Sequence, residues 1–414
     1  MTACTTGAAA RPGVSPSFVE FVLLVSLMMG LVSLSIDNLL PAFGPMQAEF
    51  GVADPNHLQL VITVYMIGFA LMQVVYGPLA DVFGRKPVLL SGFGLFAVGT
   101  VLAMMAPDFS TLLAARFVQG LGASAPRVLS IAIVRDRFAG SDMARVMSLT
   151  MMVFLIVPVV APATGTLTLM VGNWHLIFIS MLVMVAALSL WVVMRLPETL
   201  PDQYRVSFSF KTIARGVVLT VTNRHAFGYS TVAAFTSGAI MAYVGSSQQI
   251  FETTVYGLGD LFPLAFGAIA GVMSVGAFSN SRLVRRFGPR RLSHGGQALL
   301  VLLSAVLVVE GILYDGVPPL LLFTATLAAS QFCFALTLPN FNAMAMEPLG
   351  SVAGTASSFI GFYNTLAGAV IGLIIGQLFD GSVMPLAWGY LVLALAGFAV
   401  VVITERGRVF RTVP

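Results

Sequence analysis

Long apolar runs separated by short polar breaks set the pattern of this chain. Twelve runs predict helices over 18–40, 58–80, 88–106, 111–134, 146–171, 174–194, 225–247, 259–281, 292–313, 318–340, 352–376 and 384–404. A helix needs about 20 mostly apolar residues to cross the hydrocarbon core of a bilayer, and each run has that length. Alternating segments of about ten residues, which a membrane barrel would require, are absent from the sequence. The first run is too long for the core of a signal peptide and reads as a retained span.

The basic residues give the runs a direction. With the N-terminus inside, the inner segments hold 19 of the 21 Lys and Arg residues and the outer loops hold none; the other two, Arg116 and Arg127, lie within the fourth run. Positive charge is retained on the cytoplasmic side, so both termini are expected to face the cytoplasm. The balance of residue types agrees. Of 414 residues, 58% are hydrophobic and 9% charged, with mean hydropathy +0.94 and pI near 9.3. Soluble domains carry about a quarter charged residues. A cytosolic enzyme, a secreted disulfide scaffold, a disordered chain and a nucleic-acid binder are all excluded. The two cysteines, Cys4 and Cys333, form neither a framework nor a metal site, and Cys333 reads as a small packed hydrophobe.

The chain reads as two related halves. Asp81 to Lys86 after the second run is echoed by Arg285 to Arg290 after the eighth, an offset of 204 residues; the first and seventh runs begin 207 apart. The expected organisation is a tail (1–17), a six-helix bundle (18–195), a linker (196–224), a second six-helix bundle (225–404) and a tail (405–414). The linker reads as a solvated segment, with an amphipathic surface helix around Phe208 to Val217 as the alternative. Paired six-helix repeats are the build of many secondary transporters, with the binding site between the repeats.

Ionisable groups inside a membrane cost about 2.5–3.5 kcal/mol on insertion scales, so each should face a cavity or have a use. Asp37 falls near the outer end of the first span and Arg116 at a similar depth in the fourth, where the two can pair or share a water. Asp37 can equally cap a helix among headgroups, and Arg116 can be a structural cation on backbone carbonyls. Arg127 lies three helical turns beyond Arg116, which places both with Gln119 on roughly one face. Arg127 also has a structural alternative, as the inner half of a network. Glu310 reads as a solvated interface residue, and His175 beside Trp174 as part of an aromatic belt. Pro158, Pro162 and Gly165 describe a bent, closely packed fifth span suited to a gate. At the inner end of the second span, Arg85 and Lys86 satisfy topology by themselves, whereas Asp81 does not. Its carboxylate would be best placed against cations or a helix N-terminus, and docking at Gly350–Ser351 before the eleventh span would latch the halves shut inside.

Several of these stretches resemble a known family. Gly77-x-Leu79-x-Asp81-x-x-Gly84-Arg85-Lys86 is similar to the signature loop of the major facilitator superfamily. Arg116-Phe117-x-Gln119-Gly120-x-Gly122, followed by Arg127 and by Val134-Arg135-Asp136, resembles the fourth span of its drug/proton antiporters. Pro158-x-x-Ala161-Pro162-x-x-Gly165 with Gly172-x-Trp174 resembles their fifth-span motif, and Asp37-x-x-Leu40-Pro41 the end of their first span. The combination is most similar to the bicyclomycin-resistance (Bcr/CflA) efflux group. Departures are Thr166 in place of a second glycine, His175 in place of a basic residue, and an unmatched Ser246-Ser247-Gln248-Gln249-Ile250-Phe251 in the seventh span.

The resemblance implies an all-α, twelve-span major facilitator fold that works by alternating access. It implies proton-coupled export of drugs or other small, partly apolar molecules, as a monomer in a bacterial-type cytoplasmic membrane. Asp37 and Arg116 would belong to the proton and substrate machinery, with Gln119 and Arg127 as further cavity residues. The energy source would be the proton gradient, with no cofactor, no metal and no nucleic-acid partner. The alternative is a dedicated transporter of one metabolite, for which Asn340, Asn342, Tyr363 and Asn364 could supply a polar site. The sequence contains no zinc-ligand motif, no Gly-x-Ser-x-Gly, no paired membrane aspartates and no nucleotide loop, so an enzyme is not expected.

Overall fold

The computed structural model describes residues 16–201, 203, 205 and 210–410. Among them there are helices and no strands. The N-half contains α1 (Phe18–Asp37), a short α2 (Phe43–Phe50), α3 (Leu60–Phe83), α4 (Arg85–Met104), α5 (Phe109–Arg137), α6 (Gly140–Val171) and α7 (His175–Arg195). The linker contains α8 (Phe210–Thr222). The C-half contains α9 (Arg224–Ser247), α10 (Phe262–Phe287), α11 (Pro289–Leu313), α12 (Leu320–Met346), α13 (Ala353–Gln377) and α14 (Met384–Thr404). Setting α2 and α8 aside leaves twelve long helices at the positions of the twelve runs. Residues 208 and 209 of the amphipathic stretch, like Cys4, Arg11 and Arg411, lie outside the described residues.

Local chemistry marks the helix ends. Ser17 and Glu20 form a reciprocal capping box on α1, Asp108 caps α5 through the Thr111 N–H, and the Asn223 side chain accepts from two N–H groups at the start of α9. Among the described residues, eleven helical stretches are long and apolar enough to cross a membrane; α9 has the length but not the apolarity. Its hydroxyls explain the difference. Ser230, Thr236 and Ser247 are buried and donate to carbonyls of their own helix, which hides polar groups that a hydropathy sum counts as wet.

The two halves repeat one packing scheme. In the N-half α1 packs on α5, α6 and α7, α5 packs on α3 and α4, and α4 packs on α7. In the C-half α9 packs on α12, α13 and α14, α12 packs on α10 and α11, and α11 packs on α14. These are the same pairs one repeat later. The halves meet through α3 against α13 and α6 against α10, two contacts that exchange under the same operation. Because successive spans alternate in direction, α1 starts and α14 ends at one end of the bundle, here termed the terminal end; the other is the far end.

Close approach of α6 to α1 depends on Gly165. A Cβ there would stand 2.3 Å from the Asn38 carbonyl oxygen, while the neighbouring Thr164 hydroxyl donates to Asn38 Oδ1 at 3.1 Å. Gly165→Ala is expected to cost about 1–3 kcal/mol through overpacking and to lower the Tm of the purified protein. Gly271→Ala on α10 is the control, since nothing lies within 4 Å of its added methyl. Equal Tm values for the two variants would contradict this account of the α1–α6 contact.

Candidate functional site

A cavity of about 530 Å³ lies between the halves toward the terminal end. The C-terminal part of α3 (Gln73, Gly77, Asp81), the C-terminal half of α5 (Arg127, Ile131, Arg135) and the first turns of α13 (Ala353 to Gly361) enclose it, with Ile213 of α8 at its edge. Above it α3 and α13 touch, and Gln73 donates to the Thr365 hydroxyl at 2.9 Å.

At the far end the halves are joined by amides. Gln59, just before α3, donates to Gln249 Oε1 at 2.7 Å and to the Gly376 carbonyl at 3.1 Å. Gln249 donates in turn to Asn56 Oδ1 at 2.6 Å, and Asn56 donates to the Phe379 carbonyl at 3.0 Å. Gln377 donates to the Asn56 carbonyl at 2.6 Å. Gln249 belongs to the stretch that departs from the family pattern. It sits in a single π turn over Gln248–Thr253 that extends α9, a geometry found often at functional sites. The sequence reading missed these four residues. Their signal was three glutamines and an asparagine at the ends of apolar runs.

Asp37 and Arg116 are both buried and are not paired with each other. Arg116 Nε donates to the Val61 carbonyl at 3.1 Å and Nη2 to the Ser35 carbonyl at 3.0 Å, while Nη1 donates to the Gln119 side chain. The guanidinium also lies over the Tyr65 ring, 4.3 Å from its centroid. Gln119 passes the chain on to the Thr100 hydroxyl at 2.8 Å and approaches the Met181 sulfur. One cation thus ties α1 and α3 to α5, and through Gln119 reaches α4 and α7. The direct Asp37–Arg116 pair allowed by the sequence is not formed, because the planar donor fork is already matched by carbonyls from two helices. Asp37 Oδ2 instead accepts from the Ser33 hydroxyl. Arg127 is separate from this cluster. It lines the cavity, its Cζ 5.3 Å from the centroid of the Phe154 ring.

The loop from α3 to α4 is a charged clasp. Gly84 takes φ 98° at the corner, and Gly288 takes φ 77° at the matching corner between α10 and α11. Arg85 bridges Asp81 at 2.6 Å and Asp136 at 2.9 Å. Glu198 accepts from the backbone N–H groups of Arg85 (2.9 Å) and Lys86 (3.1 Å), satisfying the open N-terminus of α4, and Lys86 Nζ donates to the Val193 carbonyl. In the C-half, Glu405 lies 3.7 Å from Arg290 and accepts from Tyr229. Glu198 and Glu405 are 207 residues apart, the spacing of the repeat, and that offset was the signal by which Glu198 could have been found. Asp81 lines the cavity together with Gly354 at the start of α13, but in this conformation its carboxylate is held by Arg85 in its own half. Gly350 and Ser351 lie in the 3-10 turn Glu347–Val352 that precedes α13.

Other expectations resolve differently. Glu310 is buried, not solvated: α11 packs on α12, and Thr326 donates to Glu310 Oε1 at 2.6 Å. Trp174 is packed inside against Phe50 and Phe178 and donates to Glu49 at 2.6 Å, while His175, stacked on it, stays partly exposed. The C-half amides pair among themselves, Asn340 with Asn280 and Asn364 with Asn342, and Tyr363 meets Thr231; none of Asn340, Asn342, Tyr363 and Asn364 lines the 530 Å³ cavity. Pro158 and Pro162 lie inside α6, the helix that contacts both α1 and α10. Cys333 is buried. Among the described residues, no cluster of His, Cys, Asp and Glu could hold a metal ion.

Removing the Arg116 side chain would leave two carbonyls and Gln119 without their donor inside the N-half. Arg116→Ala is expected to cost about 3 kcal/mol or more, read as a fall in the Tm of the detergent-purified protein. Arg116→Lys should restore only part of it, because an ammonium cannot reproduce the fork. Wild-type stability in Arg116→Ala would contradict its role as the N-half hub.

Comparisons with known proteins agree with the architecture. The pattern of the Major Facilitator Superfamily matches residues 25–372. An uncharacterized MFS-type transporter, YdgK of Bacillus subtilis (strain 168), is 31% identical over 363 residues, covering 85% of this chain and 87% of the relative. A bicyclomycin resistance protein homolog of Haemophilus influenzae is 29% identical over 372 residues, covering 88% of this chain and 91% of the relative. The crystal structure of a D-xylose-proton symporter shares the fold at a TM-score of 0.74 and 13% identity, over 94% of this chain and 97% of the other. With twelve long helices in two repeated halves, an interhalf cavity and the signature loop in place, this chain belongs to the major facilitator superfamily and is a membrane transporter, not an enzyme.

Proposed function

We propose that the protein exports drugs or other small, partly apolar molecules in exchange for protons, by alternating access, across a bacterial-type cytoplasmic membrane. The observation that carries the reading is the pairing of a drug-sized cavity at the terminal end with an interhalf amide seal at the far end. The 19-to-0 distribution of Lys and Arg supports a cytoplasmic terminal end, and on this reading the cavity takes its load from inside. The Haemophilus influenzae relative is named for bicyclomycin resistance, which favours outward transport of a drug.

Asp37 suits the coupling role. It is a buried carboxyl near the halves' interface, bonded to a neutral hydroxyl, with no cation in ion-pair contact among the described residues. Such a group can take up and release a proton as its access to water changes. Each proton entering gains about 2.3 kcal/mol per 100 mV of membrane potential, and opening a few neutral amide bonds costs about 0.5–1.5 kcal/mol each. The drive and the gate are therefore of comparable size.

In a host lacking its own efflux pumps, wild type is expected to raise resistance to several unrelated compounds, and Asp37→Asn to lose that protection at matched membrane expression. Full protection by Asp37→Asn would remove Asp37 from coupling. No protection by well-expressed wild type would favour a transporter dedicated to one metabolite. The far-end seal gives a second test. Gln59→Cys with Gln249→Cys, in a background lacking Cys4 and Cys333, should be joined by a short bifunctional thiol reagent, and joining should stop transport. Transport that continues in the cross-linked protein would refute opening at this seal.

A further inference from the structure

We propose that Arg127 forms an anion subsite in the interhalf cavity, which would take a carboxylate or similar anionic group of a substrate whose apolar body rests on Val74, Val128 and Ile131. The inference deepens the export reading and rests on it to the extent that the cavity is where substrate binds.

The charges of Arg85 and Arg116, which are buried, and of Arg127, which is half-buried, are compensated unequally. Arg85 holds two carboxylates, and Arg116 holds two carbonyls and a glutamine. Arg127 Nη1 is buried without a hydrogen-bond partner, and among the described residues no carboxylate stands within ion-pair distance of the side chain. Arg137 also has a buried Nη1 without a partner, but it does not line the cavity. Phe154 covers the Arg127 guanidinium. A ring engages the face of the guanidinium through its π-cloud, while the N–H donors point outward in the plane. A buried charged donor left unmet is costly, and a bidentate carboxylate is the geometric match to the fork.

The surrounding charge favours the same ligand. Arg85, Arg127 and Arg135 line the cavity against a single carboxylate, Asp81, which Arg85 already engages. The lining therefore carries net positive charge, which attracts anions and disfavours cations. Its volume of about 530 Å³ suits a drug-sized molecule, and the valines and isoleucine beside Arg127 suit an apolar body.

The test uses the purified full chain in detergent, without a gradient, and three matched probe pairs: 1-pyrenebutyrate and 1-pyrenebutanamide, 2-naphthoate and 2-naphthamide, biphenyl-4-carboxylate and biphenyl-4-carboxamide. Affinities come from isothermal titration calorimetry. Wild type is expected to bind each acid about tenfold or more tightly than its amide, the scale of a charge-assisted pair. Arg127→Ala should bring acid and amide to equal affinity, and Arg127→Lys should keep part of the preference. Should Arg127→Ala fail to fold, Arg127→Gln, which keeps donors but no charge, should also lose the preference. Acids that do not bind wild type, or bind no better than their amides, would overturn the proposal. So would an acid preference that persists in Arg127→Ala or Arg127→Gln. Acid binding through Arg127 in a wild type that confers no resistance would keep the subsite and remove the export reading. Resistance to neutral compounds without acid preference would do the reverse.

Discussion

A polar group in hydrocarbon has to find its partner inside the protein, because no water is there to replace it. Arg116 shows how far that constraint organises this chain. Its donors are met by carbonyls of α1 and α3 and by the side chain of Gln119, which carries the connection to α4 and α7. Five of the six long helices of the N-half are therefore registered on one guanidinium. The helix that is left out, α6, is held to α1 by the glycine-permitted contact between Gly165 and Asn38. It is also the N-half helix that meets α10 of the other half. A half built around a rigid polar hub, with its least tethered helix at the interface, can move as a body.

The two ends of the molecule use different chemistry. The terminal end is charged: Arg85 gathers Asp81 and Asp136, and Glu198 caps α4. These bonds join the N-half to itself and to the start of the linker, not to the C-half. The contacts between the halves at the far end are neutral: Asn56, Gln59, Gln249 and Gln377 bond across. Neutral amide bonds contribute modestly when they form and cost modestly when water replaces them. The Arg85 guanidinium is itself buried, so leaving it without both carboxylates would cost more. The contact between the halves at the far end is thus made of amides, while the clasp at the α3–α4 corner is made of charges.

Duplication accounts for the frame, and divergence accounts for the asymmetry within it. The glycine corners at Gly84 and Gly288 share their backbone geometry, and the carboxylates at Glu198 and Glu405 occupy matching exits. Asp81 has become Arg285 in the second copy. Asn340 and Asn364 of the C-half pair with Asn280 and Asn342, and the charged lining of the cavity comes from the N-half.

What the sequence determined by itself follows from one-dimensional constraints. Spans must be about 20 apolar residues long, basic residues stay on one side, and a duplicated loop repeats at a fixed offset. Those rules were enough for the helix count, the two halves and the position of the signature loop. They weakened at α9, whose buried hydroxyls turn back on their own helix. They could not decide partners. The tertiary structure gave Arg116 to carbonyls in place of Asp37, left Arg127 Nη1 without a partner, buried Glu310 against Thr326, and joined Gln59 to Gln249 across 190 residues of chain. Periodicity records which face of a helix is polar. It carries no information about which group on another helix, hundreds of residues away, will be brought against that face.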